Sequence, residues 1–541
     1  MKKTNKGLFT KLFVSIVIAC LIPVGCQLGN SFNQSPEGTI QTSPTNPAII
    51  TEGSKIPPDK VRVDSGEAEV LSACDLEDQF KAMKPDQIPD WESLDLSTCY
   101  DLDLHITENG NSYTGSETLT YLNVTGQPLT SLLLRLYPNA KPIYGGKLQV
   151  TSVQVEGGDI PFEVTLGDAT GFQVNLPEPL DLGQSITLDL DFSGDVPTDF
   201  GGQSNVYGIF NYASGDQVLT LANWYPILAE WGGNNWVAET VTGIGDAVVS
   251  ETALYKVQIT LPVGWQVVTT GSEVGKTIQN ASQRLVFTSG PTRDFIVSAS
   301  PHFNLNQIMV DGIEINHWGL PSIIESENKA LQITSEAVNL YDKVFGTYPY
   351  AELDVVSVPL NLASGVEYPG VFLVGEEVYD PNSDPPFLLD IVTAHETSHQ
   401  WWYGVVGNNV LLNPWQDEAL ATFSSLVFLQ NYQNQYYNGT LDYYRSQVAQ
   451  VEDSGDNTEV SQSVSAFVNR PREYGPVVYD KGALFLEALR ERLGDDLFFA
   501  ALQNYYQENR YRLVGPSVLL GSFEESCGCS LNDVYSRWGV K

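Results

Sequence analysis

The stretch TAHETSHQWWYG, residues 393–404, holds two of the five histidines of this 541-residue chain. His395 and His399 are four residues apart, and Glu396 lies between them. Side chains four residues apart project from one face of a helix, so this spacing brings the two imidazoles together. Two neutral imidazoles on adjacent turns can chelate Zn²⁺, which favours nitrogen ligands in a tetrahedral site. Glu396, about 60° around the helix from His399, then faces the water that a metal would activate, as in the H-E-x-x-H signature of metallopeptidases.

The next predicted helix offers a third metal ligand, which a catalytic zinc site needs beside an open position for water. In NPWQDEALATF, Asn413 is a suitable N-cap and Pro414 fits the first turn. Asp417 and Glu418 follow, although acidic residues are favoured in the first turn of any helix. Glu418 is the candidate ligand, because an antiparallel neighbouring helix could return it to the metal.

The whole segment HETSHQWWYGVVGNNVLLNPWQDE resembles the H-E-x-x-H-x18-E pattern of the gluzincin aminopeptidases of the aminopeptidase N and leukotriene A4 hydrolase type. HQWW and WQDEALA are similar to the continuations H-x-W-x and W-L-[ND]-E-[AG]-[LF]-A in that family. The resemblance implies one Zn²⁺ per chain with His395, His399 and Glu418 as its ligands. It also implies that Glu396 is the general base.

Two further segments resemble substrate-binding parts of the same family. ASGVEYPGVF is similar to G-x-M-E-N, in its bacterial form G-G-M-E-Y-P, whose glutamate holds the free α-amino group of a peptide. The resemblance implies that Glu367 binds the amine, while Gly365 and Val366 pair with the peptide as an edge strand. Val366 replaces the family's methionine, which implies an altered pocket for the first side chain. GPVVYDKGALFLEALRERLG resembles V-Y-x-K-G-A, which implies that Tyr479 stabilises the oxyanion, with Tyr474 as a possible neighbour.

The two halves of the chain differ in pattern. From about residue 100 to residue 303, apolar and polar residues alternate between frequent turn residues, which predicts strands. After residue 304 helical spacing dominates, so we predict an α+β chain with an all-β domain at 71–303 and a mainly α domain at 304–541. The family resemblance spans roughly residues 100–541, and it implies a saddle-like first domain and a thermolysin-like catalytic domain. Larger members continue into a helical domain that roofs the active site, which implies a more open cleft here.

The N-terminus resembles an export signal. Four lysines precede the apolar run LFVSIVIACLIPVG, which is shorter than the roughly 20 residues that a membrane-spanning helix needs. PVGC resembles the lipobox of bacterial lipoproteins, with residues 1–25 as the signal peptide and Cys26 as the lipidated residue; Cys20 in VIAC is the alternative. Residues 26–70, rich in Ser, Thr, Pro, Asn and Gly, predict a disordered tether. We therefore expect an exported protein that reaches the membrane through a lipid anchor only.

The net charge bears on the class of binding partner, and the cysteines bear on disulfide bonds and metal binding. The formal net charge of −38 argues against binding to nucleic acid. Four cysteines remain beyond the predicted signal, and Cys74 with Cys99 is the natural local disulfide pair in an exported protein. Cys527 and Cys529 could close a tight ring or, as an alternative, supply two thiolates to a metal.

These observations predict a zinc-dependent aminopeptidase that acts on peptides with a free N-terminus. One alternative is another zinc hydrolase on the same scaffold, an endopeptidase or an epoxide hydrolase. Another is an inactive, tethered peptide-binding lipoprotein. Glu367 argues against the endopeptidase, and the presence of Glu396 and Tyr479 argues against the inactive protein. The preferred N-terminal residue and the oligomeric state are left open by the sequence.

Overall fold

The computed structural model describes residues 74–541 apart from 75, 90–93, 95, 205–206 and 324–325. The predicted signal peptide, Cys26 and its alternative Cys20, and the tether at 26–70 lie outside the described residues. Within the described part of the chain, no helix has both the length and the apolar character needed to cross a membrane.

Residues 98–300, called the β region below, form three sheets. Alternation of apolar and polar residues determines these strands: in LYKVQITLP, every second side chain is buried and its neighbours are partly exposed. Numbered in chain order, the strands of the largest sheet are β1 (Thr98–Ile106), β2 (Ser112–Leu122), β4 (Lys147–Val155), β5 (Gly158–Asp159), β8 (Ser185–Asp195), β12 (Leu254–Pro262), β14 (Ser272–Gln279) and β15 (Ser282–Thr288). They lie in the order β14-β15-β12-β1-β2-β8-β4-β5. All neighbours are antiparallel except β1 and β12, which are parallel.

Two antiparallel four-stranded sheets complete the β region. The first contains β9 (Phe210–Ala213), β10 (Val218–Leu221), β13 (Gln266–Thr269) and β16 (Val297–Ser300) in the order β13-β16-β10-β9. The second contains β3 (Leu129–Arg135), β6 (Phe162–Val164), β7 (Gly171–Leu180) and β11 (Ile227–Leu228) in the order β11-β3-β7-β6.

A mixed five-stranded sheet opens the C-terminal region, residues 304–541. Its strands are β17 (Asn304–Val310), β18 (Ile313–Gly319), β19 (Glu352–Val358), β20 (Gly365–Tyr368) and β21 (Val371–Gly375), in the order β17-β18-β19-β21-β20. The strand β20 is therefore an edge strand, and it pairs antiparallel with β21. Leu353 and Val355 of β19 pack in the core with the helices, whereas Val356 and Val358 pack in the core of the β region. This sheet thus lies between the β region and the helices.

Helices dominate the remainder of the C-terminal region. The α-helices of the chain are α1 (Leu76–Gln79), α2 (Glu327–Val344), α3 (Leu388–Ser398), α4 (Trp415–Tyr432), α5 (Asn434–Ser454), α6 (Gly482–Leu493), α7 (Asp495–Glu508), α8 (Pro516–Cys527) and α9 (Asn532–Trp538). A π-helical segment, Gly475–Lys481, leads directly into α6. Short 3₁₀ segments lie at Phe80–Ala82, Tyr137–Asn139, Asp199–Ser204, Pro321–Ile323, Glu376–Tyr379, Val464–Phe467 and Pro471–Glu473. The predicted α+β class, with the β-rich part first, is confirmed.

The helix that carries His395 is shorter than the sequence pattern predicts. We expected PPFLLDIVTAHETSHQWWYG to be helical throughout, but α3 ends at Ser398, one residue before His399. Beyond Ser398 the backbone hydrogen bonds join residues five apart instead of four. The Gly404 N–H donates to the carbonyl of His399 at 2.8 Å, and the Val406 N–H donates to the carbonyl of Trp401 at 3.0 Å. His399 keeps helical dihedrals, φ −61° and ψ −15°, so its side chain still follows the face of His395. The next helix also begins later than predicted, at Trp415 after Pro414.

Both cysteine pairs are joined in disulfides. Cys74 is bonded to Cys99 with a Cα–Cα distance of 6.0 Å, and Cys527 is bonded to Cys529 with a distance of 5.2 Å. The second pair closes the tight ring around Gly528, so the alternative of a two-thiolate metal site there is wrong for this structure.

A buried histidine on β18 makes the stability of the fold dependent on pH. His317 is fully buried, its Nε2 lies 2.8 Å from the Tyr379 hydroxyl, and burial lowers its pKa to about 4. The unfolded chain therefore takes up the proton first as the pH falls. The stability contributed by neutral His317 is complete above about pH 6.5 and is lost as the pH falls towards 4.

The H317Q variant cannot bind this proton. Between about pH 7.5 and 5 we expect the wild type to lose about 2 kcal/mol more than H317Q in urea unfolding. An equal loss in both proteins would contradict the assignment.

Candidate active site

Three buried side chains converge at the junction of α3 and α4. His395 Nε2 and His399 Nε2 lie 3.1 Å apart, and Glu418 Oε2 lies 3.3 Å from the first and 3.5 Å from the second. All three side chains are almost fully buried. The structure thus brings together the three metal ligands that the sequence predicts.

The donor atoms of this triad suit Zn²⁺. His399 Nδ1 lies 3.0 Å from the Trp402 carbonyl, and this contact makes Nδ1 the protonated nitrogen and leaves a lone pair on Nε2. Glu418 Oε2 has no hydrogen-bond donor among the described residues. Two imidazole nitrogens and one carboxylate oxygen without protons between them are the ligand set of many catalytic zinc sites. The residues present therefore fit the metal.

The pKa values of Glu418 and His395 favour the deprotonated form that binds a metal, whereas that of His399 does not. Burial alone would raise the pKa of Glu418, but the two histidines that face its carboxylate lower it to about 2. Burial lowers the pKa of His395. Burial would also lower the pKa of His399, yet the surrounding carboxylates, Glu367 first, raise it well above its usual value. Protons therefore compete with a metal ion mainly at His399.

Glu396 lies beside the triad, under the edge strand β20. A Cβ atom built on Gly365 would lie 2.6 Å from the Glu396 Cδ, so only glycine lets the strand approach the carboxylate this closely. Glu396 Oε2 is buried and accepts no hydrogen bond in the described structure. Burial raises the pKa of Glu396 well above its usual value, and Glu367 and Glu418 add to this effect. Its position beside the triad suits this carboxylate to accept and return a proton.

Glu367 projects from β20 into the same cavity. One carboxylate oxygen of Glu367, one of Glu396 and a ring nitrogen of His399 all lie within 4.8 Å of one another. Burial and then Asp246 raise the pKa of Glu367 well above its usual value. The two other residues predicted to bind substrate, Gly365 and Val366, also line the cavity.

The sequence analysis missed Asp246, which lies between β11 and β12 in the β region. Oxygens of Asp246, Glu367 and Asp417 lie within 4.8 Å of one another. Asp417 Oδ1 accepts hydrogen bonds from the Glu418 N–H at 3.0 Å and from Asn408 Nδ2 at 3.2 Å, whereas its buried Oδ2 has no partner among the described residues. Burial, followed by the charge of Glu418, raises the pKa of Asp417 to about 8. Three carboxylates therefore face one point, a few ångströms from the metal ligands.

The π-helical segment Gly475–Lys481 places Tyr479 against the triad. Its hydroxyl donates a hydrogen bond to Glu418 Oε1, and its ring stacks on His395 with 6.0 Å between centroids. Tyr474 is fully buried with its ring 5.8 Å from that of Tyr479, and its hydroxyl has no partner in the described part of the chain. Tyr479 therefore belongs to the wall of the site, and Tyr474 packs against it without lining the cavity.

Most of these residues line a cavity at the junction of the β region and the C-terminal region, whereas Asp417 and Tyr474 are buried and do not line it. Among the described residues, its lining contains five carboxylate residues and neither lysine nor arginine: Asp246, Asp294, Glu367, Glu396 and Glu418. Asn223, from the TLANWYP stretch of the β region, also lines it. The Asn223 Oδ1 accepts a hydrogen bond from the Tyr144 hydroxyl at 2.7 Å, while its buried Nδ2 has no partner among the residues described. The cavity is thus strongly acidic and suited to a cationic group.

Residues 329–538 match the peptidase family M1 domain. Endoplasmic reticulum aminopeptidase 2 of Homo sapiens is 25% identical over 240 residues, covering 41% of this chain and 24% of that protein. A probable aminopeptidase 1 of Sulfurisphaera tokodaii is 26% identical over 226 residues, covering 39% of this chain and 28% of that protein. This chain therefore spans about a quarter of the length of these curated relatives.

Solved structures share the fold over a greater length. An M1 zinc metallopeptidase from Deinococcus radiodurans superposes with a TM-score of 0.60 at 20% identity, covering 82% of this chain and 94% of that chain. A variant of that protein bound to a Tyr-Ser-Ala substrate gives a TM-score of 0.61 with the same identity and coverage. The matched domain contains the converging histidines and glutamate, and the shared fold extends into the β region. Residues 329–538 therefore carry the peptidase family M1 domain, and the likeness of the longer chain to these solved structures is one of fold.

Proposed function

We propose that this protein is a zinc-dependent aminopeptidase that removes N-terminal residues from peptides. The observation that carries the proposal is the group of three carboxylates, Asp246, Glu367 and Asp417, beside the three predicted zinc ligands. The curated relatives named above are aminopeptidases, and the Deinococcus radiodurans variant binds a tripeptide, which supports the same class of substrate.

The spacing of the three carboxylates suits a substrate α-ammonium group. An ammonium nitrogen has three N–H donors, and acceptors at about 2.8 Å in tetrahedral directions lie about 4.6 Å from one another. The oxygens of Asp246, Glu367 and Asp417 lie within 4.8 Å of one another, so one ammonium nitrogen could reach several of them, and Asp246 and Glu367 line the cavity. An endopeptidase would place a neutral peptide group here and leave buried carboxylates without a counter-charge, which is costly.

The edge strand β20 gives the peptide its direction. Its outer edge pairs with no other strand of the sheet, so an extended peptide can add to it through main-chain hydrogen bonds. Gly365 lets this strand lie against Glu396, and Glu367 lies two residues along the same strand. A peptide held by its ammonium group at Glu367 then presents its first carbonyl beside the predicted zinc ligands.

The residues around the triad can carry the proton transfers of hydrolysis. Bound zinc supplies a Lewis acid that lowers the pKa of water to about 7 and polarises a carbonyl oxygen. Glu396 accepts the proton of the attacking water as the new C–O bond forms. It then donates that proton to the leaving amine as the C–N bond breaks. The Tyr479 hydroxyl, which donates to Glu418 in the structure, would turn to donate its hydrogen bond to the carbonyl oxygen as negative charge develops there.

A panel of aminoacyl 4-nitroanilides tests the proposal on purified, zinc-loaded protein. We expect release of nitroaniline from substrates with a free α-amine, loss of this activity after treatment with 1,10-phenanthroline, and recovery when Zn²⁺ is restored. An N-acetylated copy of the best substrate is the matched control and should resist hydrolysis. Activity that survives complete removal of the metal, or cleavage of the acetylated substrate at the same rate, would overturn the proposal.

A further inference from the structure

The turn that follows the metal-binding helix is held by an arginine from the β region. Arg293 is buried, and its guanidinium donates hydrogen bonds to three backbone carbonyls of the C-terminal region. The acceptors are Tyr403 at 2.8 Å from Nε, and Arg512 at 2.7 Å and Val405 at 3.3 Å from Nη2. The carbonyl of Arg293 itself accepts a hydrogen bond from the Ser250 hydroxyl at 2.7 Å, which anchors the arginine within the β region.

This turn, residues 402–405, is also the part of the chain that orients a metal ligand. The Trp402 carbonyl accepts the hydrogen bond from His399 Nδ1 at 3.0 Å, which directs Nε2 towards the other ligands. The next carbonyl along the chain, that of Tyr403, is the one that accepts from Arg293 Nε. The arginine and the histidine therefore bind neighbouring carbonyls of one short segment.

The backbone of this turn does not hold its conformation by local preference. Tyr403 has a φ of 121°, a value that glycine adopts freely and that residues with a side chain adopt only under strain. Such a conformation persists where surrounding contacts determine it. Here the contacts come from the β region: Arg293 binds the Tyr403 carbonyl, and Asp294 accepts a hydrogen bond from the Tyr403 hydroxyl.

The guanidinium of Arg293 lies flat against Gly407, two residues beyond the turn. A Cβ atom built on Gly407 would collide with Cζ and Nε of Arg293 and would lie 2.8 Å from Nη1. The glycine N–H donates to the Arg512 carbonyl at 2.9 Å, the same carbonyl that Arg293 binds. Because Gly407 has no side chain, the guanidinium of Arg293 can pack directly against its backbone.

We propose that Arg293 is a positioning residue for the zinc ligand His399. Docking of the β region places the guanidinium on the turn at 402–405, and the turn then fixes the Trp402 carbonyl that orients the His399 imidazole. Outer contacts of this kind are known to tune metal affinity, typically by 10- to 100-fold. The affinity of the C-terminal region for zinc therefore depends on a side chain of the β region. This inference rests on the proposed zinc site, and not on the proposed peptide substrate.

Zinc affinity of the full-length protein, measured by competition with a fluorescent chelator, tests the proposal. R293M removes the donors but keeps most of the aliphatic stem, and G407A displaces the guanidinium while leaving Arg293 in the sequence. We expect both to bind zinc about 10-fold more weakly or worse, with R293K intermediate because it restores one donor. G439A on α5, where an added Cβ meets nothing within 4 Å, is the matched glycine control and should bind as the wild type does.

Thermal unfolding of the metal-free proteins separates positioning from general destabilisation. Variants that lose melting temperature but bind zinc as tightly as the wild type would overturn the proposal. Should R293M fail to fold, G407A and the milder Y403F, which loses only the hydrogen bond to Asp294, decide the matter by the same measurement. A wild type that binds zinc yet cleaves no peptide substrate would overturn the proposed function and leave this inference standing.

Discussion

Replacing Glu396 with glutamine should abolish hydrolysis while leaving zinc bound. Glutamine has nearly the same shape, and Glu396 lies outside the group formed by His395, His399 and Glu418, so that triad should stay intact. The amide cannot accept the proton of the attacking water or return it to the leaving amine. General acid–base catalysis typically contributes a factor of about 10²–10⁴, so kcat should fall by at least that much. Steady-state kinetics on an aminoacyl 4-nitroanilide measure the loss, and elemental analysis measures the zinc.

The same substitution at an unrelated glutamate provides the control. Glu336 lies on α2, away from the cavity, with the Gln332 side chain as its partner. The E336Q variant should keep the wild-type rate. Hydrolysis retained in E396Q would refute the role of Glu396 as base, and loss of zinc from E396Q would show that it supports the metal instead.

Local patterns were sufficient to predict most individual elements of the fold. Strict alternation in LYKVQITLP gives β12, and the helical spacing that ends near Gly346 gives α2 at Glu327–Val344. The pairing of strands was not predictable in this way. The strands β1 and β12 pair in parallel although about 150 residues separate them, and only tertiary packing selects such a partner. The end of α3 was also misjudged, because the wide turns at residues 399–406 are formed with the help of distant contacts.

As with the fold, some residues of the site were predictable from the local sequence, whereas others depend on contacts between distant parts of the chain. His395, Glu396, His399 and Glu418 lie in one motif, so their spacing alone brings them together on two successive helices. Asp246, Asn223 and Asp294 reach the cavity from the β region, and nothing in their local sequence marks them. Residues that the β region contributes to the site can be identified only from the packing of the β region against the C-terminal region.

Replacing Glu367 with glutamine should be nearly as damaging as loss of the base, but only for substrates with a free α-amine. The change keeps the shape of the side chain and removes the charge nearest to the proposed ammonium site. Truncating one partner of a buried charge pair typically costs about 2–5 kcal/mol, or about 30- to 4000-fold in kcat/KM at 1.4 kcal/mol per factor of ten. Aminoacyl 4-nitroanilides and their α-hydroxy analogues, which lack the ammonium group, should be compared on both proteins.

The comparison between the two substrate series identifies the role of the carboxylate. If Glu367 pairs with the ammonium group, E367Q loses most of its activity on the amine series, while the weak hydrolysis of the α-hydroxy series changes little. Equal losses on both series would show a structural role and contradict the assignment.

The D246N variant tests whether Asp246 binds the same ammonium group, because Asp246 faces the same point as Glu367. Two carboxylates that share one cation are coupled, so the E367Q/D246N double variant should lose less than the sum of the two single losses in free energy. Strict additivity would place Asp246 outside the ammonium site.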